Sequence, residues 1–161
     1  MMQQVHALQL LFCEALESIA DGLPNNVPAG LMQSALELLE SGALNHLRTQ
    51  EQALFSALSG SIASTRHLRF VIDRLAAEHA DDWSAALEIA HELRLLAKHG
   101  RARNPEMLGF MLRAYFEAQR RHVEWEAGVL LPLVRELLTA ADLRELQHQL
   151  TSGHLSNNML Q

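Results

Sequence analysis

The sequence has 161 residues, 48% hydrophobic and 5% aromatic, and its 19 acidic residues against 13 Lys and Arg give a formal net charge of −6. This length suits one domain with its own core rather than two. The excess of acidic over basic residues and the lack of a basic stripe argue against a nucleic-acid partner. Leu, Ala, Glu and Gln are abundant, and these residues favour helix over sheet.

The expected location is the cytoplasm, without membrane attachment. The single cysteine, Cys13, cannot form an internal disulfide and fits a reducing compartment. The N-terminal stretch lacks a basic region and carries Glu14 inside its apolar run, which is not typical of a signal peptide. No apolar run reaches the roughly 20 residues that a membrane-spanning helix needs.

Helical periodicity and helix-breaking residues predict four long helices and a short fifth one, over about 2–20, 29–58, 64–99, 105–138 and 139–150. A stretch with one glycine and two prolines, 21–28, separates the first two. Gly100 is placed to cap the end of the third helix, and Asn104-Pro105 is typical of a helix start. Pro132 falls inside the fourth helix and is expected either to kink it or to be absorbed near its end.

These elements predict an all-α fold, an antiparallel up-down four-helix bundle with a short C-terminal fifth helix. We expect a single domain over residues 1–161. It would consist of two tandem helical hairpins, about 2–58 and 64–138, followed by the short helix and tail at 139–161.

An internal repeat supports the tandem hairpins. Superposing the segment that starts at His46 on the segment that starts at His122 pairs Gln50 with Glu126. A further histidine precedes each segment, His6 by 40 residues and His79 by 43. Each hairpin therefore contributes one histidine from each of its helices.

The helical phase, at about 100° per residue, decides which histidines can meet. His46 and His79 lie on apolar stripes of their helices, whereas His6 sits on the edge of the buried face of the first helix. The corresponding stripe of the fourth helix contains His122 together with Leu108, Met111, Tyr115, Ala118, Glu126, Val129 and Leu133. Three helices thus direct a histidine into one interior, and Glu126 accompanies them.

Several polar side chains in one interior are costly to bury unless something satisfies them. A metal ion would satisfy all of them at once, and an imidazole and a carboxylate one helical turn apart are suited to share one. We therefore predict a metal site formed by His46, His79, His122 and Glu126. Cys13 and Tyr115 are interpreted as core residues, and the remaining histidines as solvated: His67, His91, His99, His148 and His154.

These motifs resemble the hemerythrin-like (HHE cation-binding) domain over about Val5 to Leu146. The family pattern has a histidine and a later Leu-Glu pair in its first helix, H-x-x-x-E-like segments in the second and fourth, and an E-H pair in the third. Here these correspond to His6 with Leu16-Glu17, the segments starting at His46 and His122, and Glu78-His79. The resemblance implies a non-haem di-iron site in a four-helix bundle, with His6 and Glu51 as further candidate ligands.

The chain also departs from the family pattern. Gln50 stands where the family places a bridging glutamate, and an amide cannot supply the negative charge that holds two cations together. Leu75 and Trp83 stand where a second histidine of the third helix would be one turn from His79. The sequence leaves open a di-iron site with open positions, a single iron or other divalent transition metal, and a degenerate site.

Two functions follow from these alternatives. One is a non-haem iron protein that binds O₂, NO or a peroxide for sensing, detoxification or iron handling, rather than a dedicated enzyme. The other is a metal-free helical interaction module, for which protein partners and oligomeric state stay open. We reject a ferritin-like di-iron oxidase, because Glu88 of the Glu88–His91 motif lies opposite the core stripe and the Glu145–His148 motif lies in the short terminal helix.

Overall fold

The computed structural model describes residues 2–40, 66–141 and 144, and every regular element there is helical. The helices are α1 (Met2–Gly22), α2 (Ala29–Glu40), α3 (Arg66–His99) and α4 (Pro105–Trp125), and a π-helical segment (Glu126–Leu130) joins α4 to α5 (Leu131–Leu137). The chain is helical again at 140, 141 and 144. The predicted all-α helical bundle is confirmed. The division into one domain of two hairpins stays a prediction, because residues 41–65 lie outside the described part.

The helix ends follow from local sequence. Gly100 adopts a left-handed φ of 69° and its N–H donates to the Leu96 carbonyl at 2.8 Å, which ends α3. The side chain of Asn104 accepts from the Met107 N–H at 3.0 Å, and Pro105 opens α4. Both predicted helix boundaries are confirmed, and they set the hairpin that brings α3 and α4 side by side.

Two ion pairs show that α1 and α4 run antiparallel. Along α1, Asp21 meets Arg113 at 2.8 Å and Glu17 meets Arg120 at 2.5 Å, so the two helices progress in opposite directions. Exposed pairs like these contribute at most about 1 kcal/mol each, so their main value is to fix how α1 sits against α4.

The apolar core carries most of the stability. Its largest fully buried apolar side chains come from α1, α3, α4 and the π-helical segment and are Leu16, Ile19, Ile89, Leu93, Leu108, Leu112 and Leu130. Full burial of one such side chain contributes about 1.5–3 kcal/mol. None of the described helices is both long enough and apolar enough to cross a membrane.

Cys13 and Tyr115 are core residues, as predicted. Tyr115 is 8% exposed and packs edge-on against Phe12, with ring centroids 6.3 Å apart and an interplanar angle of 81°. Cys13 is fully buried, and burial raises the pKa of its thiol to about 11. A thiol with this pKa stays protonated at neutral pH and is a poor nucleophile and metal ligand.

The prediction that Val129 faces the interior is wrong, because the buried face of this helix is centred nearer Val123 than His122. The N–H of Leu131 donates to the Glu126 carbonyl, five residues back, so this turn holds one residue more than an α-turn. Leu130 lies seven residues after Val123 and four after Glu126 and is buried like them at 1%, whereas Val129 is 40% exposed. The wider turn lies directly before Pro132, which lacks the N–H needed to continue an α-helical ladder. With the missing N–H placed after this wider turn, the chain stays helical through Pro132 and continues as α5.

Candidate metal centre

Three of the predicted site residues meet in the interior between α1 and α4. The Nε2 atom of His6 lies 2.9 Å from Oε2 of Glu126, and Nε2 of His122 lies 2.8 Å from Oε1 of the same carboxylate. Glu126 is fully buried, and the side chain of His122 is 8% exposed. His6 is buried at 6% rather than at the edge of the buried face, because its ring turns inward to a partner on another helix.

The carboxylate of Glu126 thus holds one imidazole on each oxygen. An ionised carboxylate only accepts hydrogen bonds, so each Nε2 facing it is the donor. A buried carboxylate without such partners would be strongly destabilising, and two charge-assisted hydrogen bonds offset that cost. Because His6 belongs to α1 and the other two residues to α4 and the π-helical segment, this cluster also ties the start of α1 to the end of α4.

The backbone around Glu126 explains how two of these side chains come together. His122 and Glu126 are four residues apart, so they lie on one face of the helix. The Glu126 N–H is shared between the carbonyls of His122 and Val123, at the point where α4 passes into the π-helical segment. Single π-turns inside α-helices are frequent at functional sites.

The other predicted ligands cannot be placed in the same way. His46 and Glu51 lie outside the described residues, as does Gln50. His79 lies on α3, but its side chain is not described. Within the described part of the chain, no group of three or more His, Cys, Asp or Glu side chains is arranged to hold a metal ion. His6 and His122 face different oxygens of Glu126, so these three side chains do not converge on one point.

The donor atoms that are described are of the kinds that bind a transition metal. The separations of 2.9 and 2.8 Å are ordinary hydrogen-bond lengths, with the proton of each Nε2 between the nitrogen and the Glu126 oxygen. Loss of that proton would free a ligand nitrogen beside each carboxylate oxygen, and metal binding requires such deprotonation. Imidazole nitrogen and carboxylate oxygen are ligands that iron accepts, so the chemistry of these three side chains fits an iron site whose further ligands come from elsewhere in the chain.

Asp82 is a polar neighbour that helical periodicity did not predict. It lies on α3, three residues after His79, and its Oδ2 accepts a hydrogen bond of 2.7 Å from the Gln119 side chain on α4. Burial raises the pKa of Asp82 above its ordinary value of 3.8, while the hydrogen bond from Gln119 and the charge of His122 act in the opposite direction. Its spacing of three residues from His79, which places both on one helix face, was the available signal.

We expect Asp82→Asn to stabilise the metal-free bundle at pH 7, by about 1 kcal/mol or less. With a raised native-state pKa, the folded protein binds more protons than the unfolded chain above the ordinary value of 3.8, and stability is lost as the pH rises through that window. An asparagine escapes this cost and can still accept from Gln119. Urea unfolding at several pH values should show the advantage shrinking as the pH falls towards 3.8.

The exposed neighbour Asp81 provides the matched control, and Asp81→Asn is expected to change little. A less stable Asp82→Asn at pH 7 would show that the attraction to His122 outweighs the desolvation of the carboxylate.

The Leu-Glu pair at 16 and 17 is structural rather than part of the centre. Leu16 is fully buried in the core. Glu17 accepts a hydrogen bond from Arg120, whose guanidinium also lies over the Phe116 ring at 4.9 Å from its centroid. The hydrogen bond to Glu17 raises the pKa of Arg120. Glu17 therefore fastens α1 to α4 and is engaged away from Glu126.

The histidines predicted to be solvated agree with the structure where they can be seen. His91 and His99 are exposed, and so is Glu88, which confirms that the Glu88–His91 motif faces solvent. Outside the described part of the chain lie the side chain of His67, the Glu145–His148 motif and His154.

No curated protein and no solved structure matches this chain at a significant level. The family model of the Hemerythrin HHE cation binding domain matches residues 1–134. That match covers α1 to α4, the π-helical segment and the start of α5, including all six predicted ligands. The chain belongs to the hemerythrin HHE cation-binding domain family.

Proposed function

We propose that this protein is a non-haem iron protein that binds O₂, NO or a peroxide in the interior of its helical bundle. Sensing, detoxification and iron handling are the roles that such binding serves. The proposal rests on one observation above all: the fully buried Glu126 presents each of its oxygens to an imidazole from a different helix. Family membership supports cation binding in the same region.

In this proposal each oxygen of Glu126, with its imidazole, supplies part of one of two metal sites. His46, His79 and Glu51 would complete them, as the resemblance to the family implies. With Gln50 in place of a glutamate, fewer negative charges are available to hold two cations close together. The proposed centre therefore has one firmly bound iron, and a second one bound more weakly or not at all.

When bound, iron supplies an open coordination position at which a small ligand such as O₂ or NO can attach. The residues of this chain set the conditions around that position. Before iron binds, His6 and His122 hold the carboxylate of Glu126 in place by hydrogen bonds, and the surrounding core excludes bulk water. Electrostatic attraction between the carboxylate and a cation is strong in such an interior, because little solvent screens it.

Reconstitution with Fe²⁺ followed by elemental analysis tests the proposal. We expect the parent to hold iron, and His6→Gln/His122→Gln to lose at least about tenfold in affinity. Glutamine can still donate a hydrogen bond to Glu126, so the variant should keep its helix content by circular dichroism. The exposed histidines supply the control, and His91→Gln/His99→Gln should hold as much iron as the parent.

The absorption spectrum of the iron-loaded parent should also change when NO or a peroxide is added, and that of the metal-free protein should not. Iron contents that are equal in the parent and in His6→Gln/His122→Gln would refute the site. A folded parent that takes up no iron would favour the metal-free interaction module instead.

A further inference from the structure

A hydrogen bond between Asp82 and Gln119 joins α3 to α4 far from the turn that connects these two helices. Oδ2 of Asp82 accepts from the side-chain amide of Gln119 at 2.7 Å. Asp82 lies 17 residues before the end of α3, and Gln119 lies 14 residues after the start of α4. Both helices therefore extend from the turn to this hydrogen bond, so they run antiparallel and the bond fixes their register.

This register also sets the level of two predicted metal ligands. His79 lies three residues before Asp82 on α3, and His122 lies three residues after Gln119 on α4. In antiparallel helices, three residues back on one helix and three residues forward on the other lead to the same level, about 4.5 Å further from the turn. The backbones at His79 and His122 are therefore level with each other, and the Asp82–Gln119 pair lies about one helical turn from both.

The carboxylate of Asp82 is costly where it stands in the metal-free protein. Burial raises its pKa, and the hydrogen bond from Gln119 and the charge of His122 offset this only in part. The contribution of His122 shows that the imidazole and the carboxylate are near enough to interact electrostatically. Half-buried carboxylates that cost stability and lie beside other titratable groups are concentrated at functional sites.

We propose that Asp82 is a positioning residue of the metal centre, which it serves without being a ligand. Its carboxylate, held by Gln119, places a negative charge one helical turn from the ligand positions on α3 and α4. The inference rests on the proposed function, because this charge is useful only to a bound cation. It also bears on Gln50, whose amide leaves the centre short of one negative charge. Asp82 supplies part of that missing charge from α3.

The attraction acts across several ångströms because the site lies within the bundle, where solvent screens charges weakly. A bound cation in turn favours the ionised form of the carboxylate. Asp82 therefore destabilises the metal-free protein and stabilises the metal-bound one, and these two effects can be measured separately.

Asp82→Asn should change stability and iron binding in opposite directions. The substitution keeps an oxygen that accepts from Gln119, so the register is retained and only the charge is lost. We expect the metal-free variant to be at least as stable as the parent towards urea, yet to bind Fe²⁺ about tenfold more weakly, the lower end of the effect of residues that surround a metal site. A residue that only supports the fold would lower both properties together.

Exchanging the two side chains tests the charge itself. In Asp82→Asn/Gln119→Glu the pair keeps its size and its net charge, but the carboxylate comes from α4 and the amide from α3. The introduced amide can donate to the introduced carboxylate, so a hydrogen bond still joins the helices. This double variant should recover most of the iron affinity that Asp82→Asn loses.

Equilibrium dialysis against Fe²⁺ followed by elemental analysis measures these affinities, and urea unfolding of the metal-free proteins measures stability. Asp81→Asn is the matched control, since Asp81 is exposed beside Asp82, and it should bind iron as tightly as the parent. An exchanged pair that binds iron no better than Asp82→Asn would overturn the proposal. So would an Asp82→Asn variant that is both less stable and weaker in iron binding.

The same experiment separates this inference from the proposed function. Iron bound equally by the parent and by Asp82→Asn would overturn the role of Asp82 alone and leave the iron protein intact. A folded parent that takes up no iron would overturn both.

Discussion

Glu126→Ala is expected to destabilise the metal-free bundle by about 3–5 kcal/mol, and Glu126→Gln by clearly less. The alanine variant removes a fully buried carboxylate and leaves two imidazoles without their acceptor. The glutamine variant keeps the shape of the side chain and can pair its oxygen with one ring and its amide hydrogen with the other. Chemical denaturation of the metal-free proteins measures this difference.

Both substitutions should abolish tight iron binding, because both remove the carboxylate and neither a methyl group nor an amide neutralises the charge of the cation. The glutamine variant therefore separates the two roles of the residue: it should fold nearly as well as the parent and still fail to hold iron. Glu124→Gln is the control, since Glu124 is exposed on the same helix and its loss should change neither property. Iron bound as tightly by Glu126→Gln as by the parent would show that the carboxylate is only a structural partner of the two histidines.

The fold could be predicted from the sequence because its helix boundaries are local. Asn104-Pro105 and Gly100 act through their own backbone geometry, so the same signals that predict a boundary also create it. The inward face of α3 was predictable for a similar reason, since Ala90 and Leu93 repeat at helical spacing and are buried at 2% and 0%.

The candidate site was harder to predict because it depends on pairs of residues from different helices. The phase of α1 alone places His6 at the edge of the buried face, and only its acceptor on the π-helical segment accounts for a ring that is 6% exposed. Asp82 was missed because its partner Gln119 lies on another helix. Helical periodicity describes one element at a time and carries no information about such partners.

Leu130 marks the other place where simple periodicity fails, and it gives the second large prediction. Leu130→Ala is expected to destabilise the bundle by about 2–5 kcal/mol, the range for truncating a buried leucine. Val129→Ala should change stability by no more than about 0.5 kcal/mol, as is usual at exposed positions. A buried face centred on His122, which the sequence pattern predicts, would reverse this order, because it includes Val129 and not Leu130.

Urea denaturation of the two alanine variants therefore tests which face of this segment is buried. Leu130 lies seven residues after Val123 and four after Glu126, and all three are buried, whereas Val129 is 40% exposed. The costs of the two substitutions should therefore differ by more than about 1 kcal/mol, because only the leucine leaves a cavity in the core. A larger cost at Val129 than at Leu130 would mean that the buried face is centred on His122, as the sequence pattern predicts, rather than near Val123.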